Sequence, residues 1–217
     1  MAWVNAHLEH DWFPRPLPTN IELGRNAYLE SAYGFAGFFS EREPGLIMGE
    51  GSGAYGLTSF FAGRDGRIEV GPYTCLNSAA LCCDERITIG AHCLLAWGSV
   101  ITDTPVPGPE SIERRRQALF DIASDPRRRP RPMGDTAPVT IEDNVWIGFG
   151  SVINAGIRLG RGSVVGCKTI VTKDVLPYTV VVGNPARVIR VLDPDDTPEV
   201  RRAALHEFGL SFPKVGA

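Results

Sequence analysis

Few side chains in this sequence could move a proton between two reacting groups at neutral pH. Histidine is the one whose ordinary titration falls in that range, and only His7, His10, His92 and His206 occur. His7 and His10 fall in an N-terminal stretch without a repeat. His206 falls in an expected C-terminal helix, so surface or capping roles are expected for all three. His92 alone falls within the regular part of the chain. Asp103 is the other candidate, because it opens the proline-rich stretch "TDTPVPGPES" and burial beneath such a stretch would suit a carboxyl group to act as a general base. A second chemistry is anion recognition. Arg114, Arg115, Arg116, Arg127, Arg128, Arg129 and Arg131 crowd one segment, which suits either phosphate binding or a solvated face.

Composition narrows the classes. With 22 Lys plus Arg against 25 Asp plus Glu, the net charge of −3 gives no global attraction to nucleic acid or an anionic membrane. Phe120 alone interleaves the arginine cluster, so a single-stranded nucleic acid platform is not expected either. The opening "MAWVNAHLEHDWFPRP" lacks a basic stretch followed by an apolar run, and no long apolar segment follows. A soluble cytoplasmic protein without membrane insertion is therefore expected. The five cysteines, Cys75, Cys82, Cys83, Cys93 and Cys167, are odd in number and show no CxxC spacing. Zinc or disulfide frameworks are not expected; buried thiols used as small hydrophobes are.

The element that must position these groups is a repeat. From Ile141, aliphatic residues recur every sixth position at Ile147, Ile153, Leu159, Val165 and Val171, and earlier at Ile89, Leu95 and Ile101. Small or β-branched residues fill the fifth position of each unit, as in Val145, Ser151, Ile157, Ser163 and Thr169. A short strand followed by a bend accounts for this, with glycine expected to supply the bend at the second position, as at Gly148 and Gly166. Three units close a triangular coil, and stacked coils make a parallel β-helix. In that register Val70, Ile89, Ile141 and Leu159 share one face; Leu76, Leu95, Ile147 and Val165 a second; Cys82, Ile101, Ile153 and Val171 the third. His92 and Asp103 then project from different corners of one coil.

The period vanishes between Ile101 and Val139, so that stretch must leave the prism as a protruding loop, residues 103–138. Within it "SIERRRQALFDIA" predicts a short helix after Ser111, with Ile112, Leu119, Ile122 and Ala123 on one face. "GLIMGEGSGAYG" and "RIEVG" are expected to form an irregular first coil. The organisation is then an irregular segment 1–45, a β-helix domain 46–190 interrupted by the loop, and a tail 191–217 with a helix from about Pro198 to Phe208.

"NVWIGFGSVINAGIRLGRGSVVGCKTIVTKDV" followed by "PYTVVVGNPARVIR", together with "ITIGAHCLLAWGSVITDT" leading into the loop, resembles the bacterial hexapeptide-repeat acyltransferases. That left-handed β-helix group includes maltose, galactoside and xenobiotic O-acetyltransferases. The resemblance covers about Val70 to Arg190. It implies a left-handed coil, a homotrimer, and acetyl-CoA bound in clefts between neighbouring prisms. Trp97 and Trp146, both outward in the register, become candidates for the subunit seam or the pantetheine slot. Lys168, Lys173, Arg187 and Arg190 become candidates for the coenzyme phosphates, with Asn184 in the same closing segment. The backbone amides near Gly148 and Gly166 could meet the thioester carbonyl or the pantetheine amides.

One feature of the family pattern is missing. The resembling enzymes carry a histidine at the start of the loop, where this chain reads "ITDTPVPGPES". Three readings of the chemistry stay open: Asp103 as base, His92 acting across a subunit seam, or no side-chain base for an amine acceptor that arrives neutral. The function implied is transfer of an acyl group, most simply acetyl, to a small hydroxyl or amino acceptor such as a sugar or nucleotide sugar. A non-catalytic trimeric scaffold is the alternative. A metalloenzyme like the γ-class carbonic anhydrases would need three histidines on a zinc, and His92 is alone on the coils.

Overall fold

The computed structural model describes residues 7–104, 111–124 and 136–193. Two strands open the solenoid, β1 (Ile21–Leu23) and β2 (Tyr28–Leu29). The second coil is β3 (Leu46–Met48), β4 (Gly53–Tyr55) and β5 (Ser59–Ala62); the third is β6 (Arg67–Val70), β7 (Cys75–Asn77) and β8 (Ala80–Cys83). The fourth is β9 (Arg86–Ile89), β10 (Leu94–Leu95) and β11 (Val100–Thr102). After the excursion with its helix α1 (Ile112–Ser124), the fifth coil is β12 (Val139–Ile141), β13 (Trp146–Ile147) and β14 (Val152–Ile153). The sixth is β15 (Arg158–Leu159), β16 (Val164–Val165) and β17 (Ile170–Val171). A final pair, β18 (Thr179–Val182) and β19 (Arg187–Val191), follows.

From the second coil to the sixth, each coil gives one strand to each of three parallel sheets. Face one runs β1-β3-β6-β9-β12-β15, face two β2-β4-β7-β10-β13-β16-β18, and face three β5-β8-β11-β14-β17. The antiparallel β19 ends face two. This is the expected β-helix. Ile141 pairs with Ile89 and Leu159 on face one, and Ile147 with Leu95 and Val165 on face two. All of these side chains are buried, and so are Ser99, Ser151, Ser163 and Thr169 at the fifth position. The inward row supplies the core. Its neighbours on each strand alternate outward because the side-chain period of a strand is two.

Three expectations about the coils need correction. On face three Ile101 pairs with Leu81, and Cys82 pairs with Thr102. Four-residue strands in the earlier coils bury two residues each, here Leu81 and Cys83, so a six-residue count from Leu76 overshoots by one. The bends also lie elsewhere. Positive φ falls at the fourth position, at His92 (57°), Asn144 (59°), Gly150 (65°), Gly162 (65°) and Lys168 (55°). The glycine at the second position serves close approach instead: a Cβ on Gly148 would stand 2.7 Å from the Cys167 amide nitrogen of the next coil. Lastly, the chain before residue 46 holds more than an irregular segment. β1 pairs with β3, β2 with β4, and Phe38 bridges to Ala62, which together add a coil. "GLIM" and "GAY" therefore lie in the second coil, and "RIEV" in the third.

Corners are fastened by the residues at positive φ. His92 N–H donates to Pro72 O at 2.9 Å, Asn144 N–H to Ala91 O at 2.9 Å, and Tyr178 N–H to Arg161 O at 2.8 Å. Non-glycine residues tolerate the left-handed backbone because each also completes a coil-to-coil bond. The excursion occupies the place expected of it, and α1 forms over Ile112–Ser124. Ile112, Leu119 and Phe120 on that helix are exposed, so the expected apolar face is not packed on the prism. The helix expected at 198–208 lies outside the described residues.

The two kinds of corner glycine should separate on substitution. Gly98→Ala, at φ 66° with nothing within 4 Å of the added carbon, should cost about 1 kcal/mol. Gly148→Ala must push a neighbouring coil away and should cost about 3 kcal/mol or more. Urea unfolding of both variants checks the order, and equal losses would contradict the close-approach explanation.

Candidate functional site

The excursion leaves the end of β11 and returns to the start of β12, so it stands at the corner between faces three and one. Asp103 sits at its root with 0% exposure. Its Oδ1 accepts the Asp84 N–H at 2.8 Å, and its Oδ2 accepts the Glu85 and Arg86 N–H groups at 2.8 Å each. The Asp103 carbonyl accepts from Ala137 N–H at 2.8 Å. Burial, with the Asp103 charge beside it, pushes the Cys83 thiol well above its ordinary range, which leaves that cysteine an inert core residue. The carboxylate expected as a buried base thus already accepts three backbone N–H groups. Its acceptor positions are turned into the corner and hold the turn of residues 84–86.

His92 occupies a different corner, between faces one and two. Its ring stacks on Tyr73 with centroids 5.3 Å apart and planes 10° from parallel, and it is exposed. Asp103 and His92 are thus kept apart within one chain, as the register required. His10 stacks on Tyr28 at 5.4 Å, and its Nε2 lies 3.1 Å from the Leu29 carbonyl; this is a structural contact. His206 lies outside the described residues.

The corner between faces two and three carries an exposed ridge. Trp97 (64% exposed) and Phe149 (45%) follow one another on successive coils, with exposed Cys167 next. Gly150 N–H donates to the Trp97 carbonyl and Lys168 N–H to the Phe149 carbonyl, so the corner backbone is stitched coil to coil. The Lys168 ammonium stands 5.9 Å from the Phe149 ring centroid, within reach of a cation–π contact. Phe149 was not singled out in the sequence. It holds the same offset after Ile147 that Trp97 holds after Leu95, and that offset was the available signal.

The closing segment folds back on this ridge. Ile170 N–H donates to Gly183 O at 3.0 Å, Ala186 N–H to Ile170 O at 2.9 Å and Gly183 N–H to Thr169 Oγ1 at 3.1 Å, which seats the turn containing Asn184 beside Thr169 and Ile170. Arg187 and Arg190 lie exposed on β19, opposite Val182 and Val180. Lys173 is exposed at the excursion's corner, two coils beyond Asp103. Lys168 and Lys173 thus stand at different corners, and the two arginines lie on the strand that ends face two. Trp146, 52% exposed, lies on face two between Leu94 and Val164. The expectation for the glycine amides is corrected: Gly148 N–H already donates to Val165 O and Gly166 N–H to Val181 O, both at 2.8 Å. Neither is free to hold a thioester oxygen.

Comparison with known proteins agrees with the coil geometry. Residues 138–173 match the family model described as the hexapeptide repeat of succinyl-transferase. Over that stretch the chain is similar to hexapeptide-repeat proteins, in keeping with its β-helix coils. Among curated proteins it is 48% identical over 118 residues to a chloramphenicol acetyltransferase of Agrobacterium fabrum, covering 52% of this chain and 55% of that one. To the galactoside O-acetyltransferase of Escherichia coli it is 34% identical over 113 residues, covering 52% and 48%. The chain spans about half the length of these two relatives. A variant of the N-acyltransferase AntD from Bacillus cereus, solved with dTDP and coenzyme A, matches with a TM-score of 0.57 at 16% identity over 86% of this chain and 91% of that one. That likeness shows the fold alone.

The Asp103 clamp makes a stability prediction. Asp103→Ala leaves three N–H groups of the turn without acceptors and should lower unfolding free energy by about 3–5 kcal/mol. Asp103→Asn, which keeps one acceptor oxygen, should lose less. Wild-type stability in urea for the alanine variant would return Asp103 to the list of reactive groups.

Proposed function

We propose that this protein is an acyltransferase that takes an acyl group, most simply acetyl, from coenzyme A to a small hydroxyl or amino acceptor such as a sugar or nucleotide sugar. The observation that carries the reading is the combination of a hexapeptide solenoid, broken once by an excursion clamped at its root, with 48% and 34% identity to acetyltransferases over half the chain. The donor brings a thioester, whose carbonyl carbon is attacked as the C–S bond breaks and the departing sulfur takes up the proton lost by the nucleophile. The ridge of Trp97 and Phe149 offers a long apolar edge for a thin pantetheine arm. Lys168, Arg187 and Arg190, with Asn184 in the adjoining turn, offer donors for its phosphates.

The base is the open part. No histidine occurs between Asp103 and Pro138, Asp103 is committed to backbone donors, and His92 stands at another corner. An amine acceptor that arrives neutral fits this arrangement best, since positioning supplies much of the acceleration and the leaving sulfur can take the proton. His92 from a neighbouring chain is the other route. A non-catalytic scaffold is the second reading, and it is favoured by the structural engagement of Asp103. A metal site like that of the γ-class carbonic anhydrases gains nothing here: among the described residues no three His, Cys, Asp or Glu side chains gather to hold an ion.

A homotrimer completes the reading, and the outward rows of the prism support it. Face two presents Tyr28, Cys75, Leu94, Trp146, Val164 and Val180 in register, and face three presents Ser59, Ala80, Val100, Val152 and Ile170. Face one presents Glu69 and Arg158, tied in ion pairs with Arg67 and Glu142. Two apolar faces and one charged face suit a threefold assembly that hides two faces of each prism. A cytoplasmic location is part of the same proposal.

Two measurements test this reading. Calorimetric titration with acetyl-CoA should show saturable binding, weakened at least about fivefold when the 3′-phosphate is removed; no heat at millimolar coenzyme would overturn the donor assignment. Sedimentation should give the mass of three chains, and Leu94→Glu with Trp146→Glu should shift it to one. A monomeric wild type would remove the subunit seam and the His92 route with it.

A further inference from the structure

The first coil closes differently from the others. Where a third strand would run, a 3-10 helix, Ala32–Phe35, takes its place, and the N-terminal segment is drawn across it. Asp11 holds the two together: its Oδ2 accepts the Ala32 N–H at 2.6 Å, and its Oδ1 accepts the Ser31 hydroxyl at 2.8 Å and the Phe13 N–H at 3.0 Å. The chain runs on as residues 13–18, where Pro14, Pro16 and Pro18 alternate with other residues. Proline fixes φ at three positions, so this strap is stiff. Between strap and helix lies a groove of about 400 Å³, lined in part by Phe13, Arg15, Leu17, Phe35, Ala36 and Phe38.

The floor of the groove is rigid. Leu17 and Phe35 are buried, Phe35 stacks on Phe60 with centroids 5.0 Å apart, and Phe38 meets Phe35 edge-on at 5.6 Å. The rim carries one cation. The exposed Arg15 guanidinium stands 5.7 Å from the Phe13 ring centroid, within cation–π reach, and it makes no ion pair among the described residues. Asp11, the carboxylate nearest to it along the chain, has both oxygens engaged in the bonds above. A preformed apolar floor beneath an uncommitted cation is complementary to an amphiphilic anion, and the volume is that of a small-molecule site.

We propose that this groove binds an aromatic carboxylic acid, its ring laid on Leu17, Phe35 and Phe38 and its carboxylate turned to Arg15. Aromatic lining favours a ring in edge or offset contact, and a guanidinium fixes the direction of a carboxylate. The site is separate from the thioester chemistry proposed above. It lies on the first coil, whereas the excursion leaves the fourth and the ridge of Trp97 and Phe149 runs over the fourth and fifth. An occupant ties strap to helix and thereby stabilises the folded first coil.

Naphthoate, followed by its own fluorescence, is the probe, with naphthamide as its uncharged counterpart. The full chain should bind naphthoate saturably and the amide about fivefold more weakly, the difference that one exposed charge contact makes. Arg15→Ala should abolish that preference. Ala36→Trp, at an exposed position with ordinary helical backbone, should fill the groove and weaken both probes at least about tenfold while keeping the urea midpoint of the free protein. Saturating naphthoate should raise that midpoint in the wild type and not in Ala36→Trp. No saturable binding, or binding that Ala36→Trp leaves unchanged, would overturn the site; the second result would put the probe on exposed rings such as Trp97 and Trp146. Equal weakening of acid and amide in Arg15→Ala would overturn the carboxylate contact. A lower sedimenting mass in Ala36→Trp would overturn the ligand in favour of a contact between copies of this chain. None of these readouts involves acetyl-CoA, so failure here is distinguishable from failure of the acyltransferase reading.

Discussion

One constraint governs this molecule: a chain that turns a corner every sixth residue must hand each corner amide to a carbonyl on the preceding coil. At the first corner Gly51, Tyr73, His92, Asn144, Gly162 and Tyr178 all adopt positive φ and all donate to that coil. The left-handed backbone costs each non-glycine residue about 1–2 kcal/mol, and the bond it completes, repeated along the corner, offsets much of that. The same closeness explains the glycines that precede the corners, where the next coil lies against the backbone and leaves no room for a Cβ. Identity at the corner is free only where the side chain can lean outward along the ridge, as the rings of Tyr73 and His92 do.

A solenoid so fully bonded has little left inside for chemistry. Its inward rows are filled by aliphatic residues and small hydroxyls, and its strand amides are consumed between coils. Reactive groups can only stand on outward rows, on corner ridges, or on an excursion. That is why the amides of Gly148 and Gly166 cannot serve as an oxyanion pocket and why His92, stacked on Tyr73, behaves as part of a ridge. Trp97, Phe149, Cys167 and Lys168 remain available because the corner they share offers backbone to the ladder and side chains to solvent.

The legible part of the sequence was the part set by period. Ile141, Ile147, Ile153 and their successors fixed the coils, their faces and the point where the excursion leaves. What escaped reading was set by local strand length or by side-chain direction. Cys82 was displaced by Leu81 because the earlier coils use longer strands with two inward residues. The coil before residue 46 was hidden because a short 3-10 helix, Ala32–Phe35, stands where a third strand would be. Asp103 was correctly singled out as the root of the excursion. Spacing does not say whether its carboxylate faces an acceptor or the backbone, and it faces the backbone. Asp84 and Glu85, which accept the Thr104 and Thr136 hydroxyls, carry no motif at all; these bonds exist only once two coils are stacked.

The structural use of Asp103 bears on the missing histidine. A carboxylate that holds three N–H groups and anchors the excursion cannot accept a substrate proton without releasing the turn, so anchor and base are incompatible duties for one side chain. What remains is to place a nucleophile against a thioester and let the departing sulfur take up the proton. On the acyltransferase reading that demand is met more easily by an amine that arrives uncharged than by a sugar hydroxyl, whose proton must be drawn off as the bond forms. For the proposed reaction this favours an amino acceptor over a hydroxyl one, unless the imidazole of His92 is brought in from a neighbouring prism.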